Sequence, residues 1–376
     1  MEPIGFNKKK AVKLMESKGV DVLVASSPEN IFYASGMPVR HVENNPILYV
    51  LSNQYPTIVV VKKDGEEALI SWQLFSSTNK ATWIKEFSGI LSMDDALNSL
   101  TSIVRDSGLT ETGTIGIESK MPYYQYERLA KEFPRAKVRI SDDIFIEMRL
   151  EKSEEEIRRI KESTRVAEKA IEAMISSVKE GVSDNDLIRI AKAEIINAGG
   201  MGVDHITLGI GTSDPEYPGT GVKMKKGDLA RFDVGAIYAG YGSDVSRHAS
   251  IGAPAKDLKE ASDFMVELQQ VCIDAVKPGV KPGKAYEATE AAHKKAAKDM
   301  PFFLTIHSVG LLIEEFHYYD AMRGASELPF AKNNVVDIEI WTLSNQGLVG
   351  IEDTFVVKAS GSERISTLER KIYGMP

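Results

Sequence analysis

Val336-Asp337-Ile338-Glu339-Ile340-Trp341 and Gly350-Ile351-Glu352-Asp353-Thr354-Phe355-Val356 are two apolar, β-branched runs closing on the turn stretch Ser344-Asn345-Gln346-Gly347. Such runs, separated by turn residues, read as a β-hairpin. Glu339 and Glu352 lie 13 residues apart, symmetric about that turn. A second hairpin is read in Ala230-Arg231-Phe232-Asp233-Val234 with Ser243-Asp244-Val245. Its centre is placed on Ile237-Tyr238-Ala239-Gly240, with Asp233 and Asp244 11 residues apart. Residues symmetric about a hairpin turn face each other with β-carbons about 4.5–5.5 Å apart, and like charges there repel. Two opposed carboxylate pairs in apolar strands therefore predict a cation between them, and a divalent metal ion is the natural candidate.

Working outward, Ser153-Glu154-Glu155-Glu156 is a capping box, and Ile157, Ile160, Ala167, Ile171, Met174 and Val178 follow it at helical spacing until Gly181. Ser183 to Asp186 repeats the capping pattern and opens a helix ending near Gly199. Strands are expected from His205 to Gly252, helices over roughly 257–277 and 284–298, and strands again after Pro301. Helix pair, acidic hairpin, helix pair, acidic hairpin is a weak internal symmetry that an ancient duplication would leave.

Before this, residues 7–148 alternate helical and strand patterns. Lys8 to Lys18 reads as a helix ending at Gly19. Val20 to Ala25, Ile47 to Leu51, Thr57 to Val61, Thr114 to Ile117 and Lys137 to Ile140 read as strands. Asp64-Gly65 turns into Ala68-Leu69-Ile70, and a helix is expected near Tyr124 to Glu132. No Gly-rich phosphate loop appears in this α/β half. The expected organisation is α+β in two domains, 1–148 and 149–376.

The bulk numbers narrow the function classes. The chain has 376 residues, 43% hydrophobic and 27% charged, with a net charge of -8. An acidic balance without a basic run argues against nucleic acid. No apolar run approaches the roughly 20 residues of a membrane span, so no membrane partner is expected. Met1-Glu2-Pro3-Ile4-Gly5 lacks the apolar core of a signal peptide, and the expected location is the cytoplasm. The lone cysteine, Cys272, sits in a helical stretch and is expected to be buried and inert. Of the six histidines (His41, His205, His248, His293, His307 and His317), His307 stands in the strand-like run Leu304-Thr305-Ile306-His307-Ser308-Val309-Gly310.

Asp233-Val234-Gly235-Ala236, Ser243-Asp244-Val245-Ser246-Arg247, His307-x-x-Gly310, Glu339 and Gly350-Ile351-Glu352-Asp353-Thr354 resemble the pita-bread metallopeptidases. That family includes prolidases, aminopeptidase P, methionine aminopeptidases and the metal-free creatinases. The order Asp, Asp, His, Glu, Glu with spacings 11, 63, 32 and 13 is most similar to its microbial prolidase branch. Asn30-Ile31-Phe32-Tyr33-Ala34-Ser35-Gly36, Met148-Arg149-x-x-Lys152-Ser153-x-Glu155-Glu156 and Lys225-Lys226-Gly227-Asp228 extend the resemblance over nearly the whole chain. It implies a creatinase-like N-terminal α/β domain, a C-terminal pita-bread catalytic domain and a homodimer. It also implies two divalent ions: manganese, cobalt or iron, with zinc a further candidate. Asp233 would bind one ion, Asp244 and Glu352 would bridge the two, and His307 and Glu339 would complete the second. Metal-activated hydroxide would attack a peptide bond before proline in an Xaa-Pro dipeptide or short peptide, with Glu339 shuttling the proton.

The residues around the substrate depart from the family. Where prolidases carry a histidine after a proline, this chain has Glu216; seven residues past the ligand histidine it has Glu314; two before the last metal glutamate it has Gly350 in place of an arginine. His317 is the candidate for a replacement catalytic donor and Arg323 for the missing arginine. The alternatives are a hydrolase on the same scaffold with an amide or amidino substrate, and a peptide-binding protein without catalysis.

Overall fold

The computed structural model describes residues 2–38, 54–75, 77 and 80–376; His41 and the strand expected at Ile47–Leu51 lie outside them. The chain divides into two compact units, Met1–Arg149 and Leu150–Pro376.

In the first unit, helix α1 (Lys8–Lys18) starts on the Asn7 side chain and stops at Gly19, whose φ of 64° suits a residue without Cβ. Helix α2 (Pro28–Ser35) starts at Ser27 with proline at its first position. It carries Asn30 to Ser35 of the motif, all buried, and Gly36 caps its end at φ 69°. Strands β1 (Val22–Ala25), β2 (Ile58–Val61), β3 (Glu67–Trp72), β4 (Glu86–Ile90), β5 (Thr114–Ile117) and β6 (Lys137–Ile140) form one sheet in the order β4-β3-β2-β1-β5-β6. Strand β2 is antiparallel to both its neighbours and the other pairings are parallel. Helices α3 (Met93–Asp106), α4 (Tyr123–Glu132) and α5 (Asp142–Leu150) complete the alternation. The sheet core is Val22, Val24, Ile58, Val60 and Ile70, packed under Leu100, Val104 and Leu129.

The second unit opens with α6 (Glu154–Ser177), where the Ser153–Glu156 capping box is formed in both directions, and α7 (Asp184–Asn197), capped likewise by Ser183 and Asp186. Helices α8 (Lys256–Ala275) and α9 (Pro282–Ala296) form the second pair. Between and after them run β7 (Gly202–Ile210), β8 (Leu229–Ile237), β9 (Val245–Ile251), β10 (Phe303–Ser308), β11 (Phe316–Asp320), β12 (Gly324–Ala325), β13 (Val335–Ser344), β14 (Gly347–Lys358), β15 (Gly361–Arg364) and β16 (Ile372–Met375). The main sheet has the order β12-β11-β10-β13-β14-β9-β8-β7, with β15 on β14 and β16 on β9.

Side chains alternate across a strand. Ala230, Phe232, Val234 and Ala236 of β8 therefore pack on Ala167, Ile171 and Met174 of α6. Arg231, Asp233 and Gly235 point to the other face, the one that becomes the site. Cys272 is buried in α8, and burial pushes its thiol up to about 12, which leaves it a spectator.

Candidate metal centre

The β13–β14 hairpin has the expected register: Ser344 pairs with Gly347, and Glu339 faces Glu352. The β8–β9 hairpin corrects the expectation. Its turn is Tyr238–Tyr241, with Ala239 at φ 49° and Gly240 at φ 87°. A two-residue turn with both central φ values positive is the closure that matches strand twist, and it moves the hairpin centre along the chain. Asp233 consequently faces Ser246, not Asp244.

Following the pairings across β10, β13, β14, β9, β8 and β7 gives two adjacent rows on one face. The first is Thr305, Glu339, Glu352, Ser246, Asp233, Thr207. The second is His307, Asp337, Thr354, Asp244, Gly235, His205. Here the Thr354 hydroxyl donates to the Asp244 carbonyl at 3.0 Å, joining the two hairpins. Asp233 and Asp244 are thus diagonal neighbours, and their side chains still converge.

The rows bring together the five expected metal residues, Asp233, Asp244, His307, Glu339 and Glu352, and add Asp337 and His205. Three sets of donors each gather within 4.8 Å: His205, Asp233 and Asp244; Asp244, His307 and Asp337; Asp233, Glu339 and Glu352. Of these residues, His205 and Glu339 are partly exposed and the rest are buried. Two Asp337 oxygens and Asp244 Oδ1 accept no hydrogen bond.

Among the described residues, these acids outnumber the cations paired with them. Burial, followed by the Asp233 charge, holds the Asp244 carboxyl well above its ordinary value. Burial and Asp244 do the same to Glu352. Burial, reinforced by Asp353 and Asp233 against the relief from Thr354, raises Asp337. Burial pushes Glu339 up to about 7 although Arg231 opposes it. Only Asp233 is held below its usual range: burial works against this, but the Arg231 guanidinium and His205 prevail.

His307 supplies a direct test of whether a metal fits. Burial lowers its pKa, so the ring is neutral. Its Nδ1 donates to the Ile313 carbonyl at 3.2 Å, which leaves an unprotonated Nε2. That lone pair faces Glu352 Oε1 at 3.5 Å and Asp244 Oδ2 at 3.9 Å. Lone pairs converging on one point fit a cation there, and a backbone carbonyl fixing the tautomer is the usual support of a metal-binding imidazole. An oxygen-rich set with imidazole nitrogen suits manganese, cobalt, iron or zinc.

Arg231, which the sequence reading passed over, lies on the same face. It places Nη2 2.9 Å from Asp233 Oδ2 and 2.6 Å from Glu339 Oε1, while Nη1 donates to the Pro215 carbonyl at 2.9 Å. Its row continues through His248 to Gly350 by the same register. A Cβ at Gly350 would stand 2.4 Å from both the Ile340 carbonyl oxygen and Trp341 Cβ, so no side chain fits there. The site thus has a guanidinium, supplied from β8. Arg323 is exposed; its Nη1 donates to His317 Nδ1 at 2.8 Å. His317 Nε2 lies 3.0 Å from Glu314 Oε2, and its ring centroid is 6.1 Å from that of His307. That pairing with His317 brings Glu314 down to about 2. Partial desolvation, then Asp233, raises Glu216. Glu216 and Glu314 feel each other and the site, which makes this rim acidic.

The loop that follows His307 is held by a buried pair: Lys152 Nζ lies 2.9 Å from Glu315 Oε2, and Glu315 Oε1 accepts from the Leu311 amide at 2.9 Å. A Cβ at Gly310 would meet the Glu315 carboxylate at 2.6 Å, which is why His307-x-x-Gly310 ends in glycine.

These groups make a pH prediction for the chelated protein. Asp244, Asp337, Glu339 and Glu352 have folded-state values above those of the unfolded chain, so the stability they contribute is present at low pH. It is lost as pH rises through the folded values, for Glu339 between 4.5 and about 7. His205, raised by its Asp233 bond against burial, acts in the same direction. His248 and His307, both lowered by burial, oppose this only below about pH 6.5. The four acids outweigh the two imidazoles, so the melting temperature in chelator should be lower at pH 8 than at pH 5.5. Saturating manganese should remove that drop; a chelated protein that stabilises towards pH 8 would contradict the account.

Comparison with known proteins places these residues in context. The model of metallopeptidase family M24 matches residues 158–359, and that of the creatinase/prolidase N-terminal domain matches residues 8–150. A curated relative, the Xaa-Pro dipeptidase of Pyrococcus horikoshii, is 27% identical over 378 residues, covering 97% of each chain. The solved prolidase of Pyrococcus horikoshii superposes with a TM-score of 0.80 at 23% identity, over 96% of this chain and 98% of that one. The X-Pro aminopeptidase of Thermotoga maritima gives 0.78 at 22% identity, over 98% and 99%. Among the described residues, no helix is long and apolar enough to cross a membrane.

Proposed function

The chain belongs to metallopeptidase family M24, and from that premise we propose that it is a dinuclear metal-dependent hydrolase of prolidase type, cleaving a dipeptide or short peptide before proline. The observation that carries the reading is the neutral His307 Nε2 aimed at Glu352 and Asp244 within a field of buried acids. Asp233 would hold one ion, Asp244 and Glu352 both, and His307 and Glu339 the other. Divalent ions held there would lower the pKa of water from near 15.7 towards about 7.

The remaining work falls to the chain. Glu339, beside the ions it would help to hold, would take a proton and return it. Arg231 holds Glu339 and Asp233 in orientation. His317, held between Glu314 and Arg323 with its ring 6.1 Å from that of His307, would act as a donor by releasing its contact with Glu314. The homodimer implied by the resemblance belongs to the same proposal.

Glu216 and Glu314 shape the substrate end. Two carboxylates where prolidases have histidines favour a substrate bearing a cationic or strongly hydrogen-bond-donating group. That same feature supports the second reading, an amidino or other amide substrate on this scaffold. A panel of Xaa-Pro dipeptides, longer Xaa-Pro peptides and amidino compounds, assayed with added manganese or cobalt, separates them. Glu216→Ala with Glu314→Ala should lower kcat/KM on the best substrate by about 10²–10³, the usual cost of a preorganised polar contact to the transition state, with bound metal unchanged. Unaltered turnover of ordinary Xaa-Pro dipeptides by the double variant would refute a role for these acids.

A further inference from the structure

His205 closes one end of the row that His307 closes at the other: His307, Asp337, Thr354, Asp244, Gly235, His205. A β-bulge between Val203 and His205 sets this register, and bulges re-aim side chains beside active sites. The position opposite is Gly235, where a Cβ would stand 2.4 Å from His205 Nδ1 and 2.5 Å from Cε1. The glycine therefore makes the space that the imidazole fills, and the ring is directed over β8 towards the acids.

His205 Nε2 lies 3.2 Å from Asp233 Oδ1 and 3.2 Å from Asp244 Oδ1. One ring N–H serves one acceptor, and only the Asp233 contact has hydrogen-bond geometry. Equal distances to two carboxylates have another source. Donors about 2.0–2.2 Å from one ion stand about 2.8–3.6 Å from one another in tetrahedral or octahedral shells. Both His205 contacts have that spacing, and donors of the three residues gather within 4.8 Å of one another. Asp244 Oδ1 is buried and accepts no hydrogen bond, as expected of an oxygen reserved for a cation.

We propose that His205 is a sixth protein ligand, binding through Nε2 the ion held by Asp233 and Asp244, so that each ion of the centre carries one imidazole. The inference rests on the dinuclear reading above and deepens it. Two nitrogen-bearing sites favour late divalent ions such as cobalt and zinc over magnesium or calcium.

Cobalt loading of the full-length protein tests it. The wild type should bind two cobalt ions per chain, and X-ray absorption should count one imidazole nitrogen per ion. His205→Gln should weaken one ion by at least about tenfold, since even residues behind the ligands cost 10–100-fold. At saturation its imidazole count should fall to one for every two ions. His307→Gln should weaken the other ion and give the same count. A His205→Gln protein that keeps both affinities and the wild-type count overturns the assignment and leaves the dinuclear reading standing. A wild type that binds no divalent ion overturns both. Should His205→Gln fail to fold, the wild-type count decides alone: one imidazole for two ions refutes the sixth ligand.

Discussion

Returning manganese or cobalt to the chelated protein should restore hydrolysis and raise the melting temperature by about 5–10 °C. The argument is electrostatic. Asp233, Asp244, Asp337, Glu339 and Glu352 gather on one sheet face with Arg231 as the guanidinium among them. Without further cations several must stay protonated, as the raised values of Asp244, Asp337 and Glu352 indicate. An ion that binds only the folded chain stabilises it by about 2.7 kcal/mol at 100 times its dissociation constant. For a domain of this size each kcal/mol is worth about 2–4 °C. Thermal scans in chelator and with manganese, cobalt, iron or zinc measure it. Melting curves insensitive to all four ions would refute the metal centre. Glu352→Gln, which loses the proposed bridging oxygen, should abolish both the shift and the activity.

Replacing Arg247 with methionine should destabilise the second unit by about 3–5 kcal/mol, the cost of leaving a buried charge without its partner. Arg247 is fully buried, with Nη2 2.6 Å from Asp353 Oδ1. Its other hydrogens go to the carbonyls of Ser246, Glu352, Leu368 and Glu369 at 2.8–3.1 Å. Two of those carbonyls belong to the paired residues Ser246 and Glu352 in the first row of the site. The guanidinium thus joins β9 to β14 from behind, and its loss should also loosen metal affinity. Urea denaturation of Arg247→Met reads the first effect and cobalt titration the second. Arg247→Met with Asp353→Leu should recover much of the stability, because an apolar pair can replace a buried ion pair. A single variant as stable as the wild type would show that the clamp carries little energy.

The elements whose signals are local were legible in the sequence. The Ser153 and Ser183 capping boxes, the Gly19 stop and the Asp64-Gly65 turn each act over a few residues. The β13–β14 hairpin was legible because its short turn lies midway between Glu339 and Glu352. The β8–β9 register was missed because Gly240 and Ala239, both at positive φ, are the residues that close the turn. Asp337 shares a face with Glu339 by simple alternation, yet symmetry about a turn pairs it with Thr354, so no acidic pair announced it. His205 had one faint signal, Ile206 and Leu208 on the apolar side leaving His205 and Thr207 on the other. The bulge that fixes its register has no signature in the chain itself.

By itself, then, the sequence determined the helices of the second unit, the β13–β14 turn and the family, because these follow from spacing and motifs along the chain. Only the tertiary structure added Asp337, His205 and Arg231 to the five residues that the resemblance implied. Joining β14 to β9 through Glu352 and Ser246 brings two hairpins far apart in sequence into one register. That pairing sets Arg231 against Glu339 and lines up His205 with His307, and no periodicity within either hairpin encodes it.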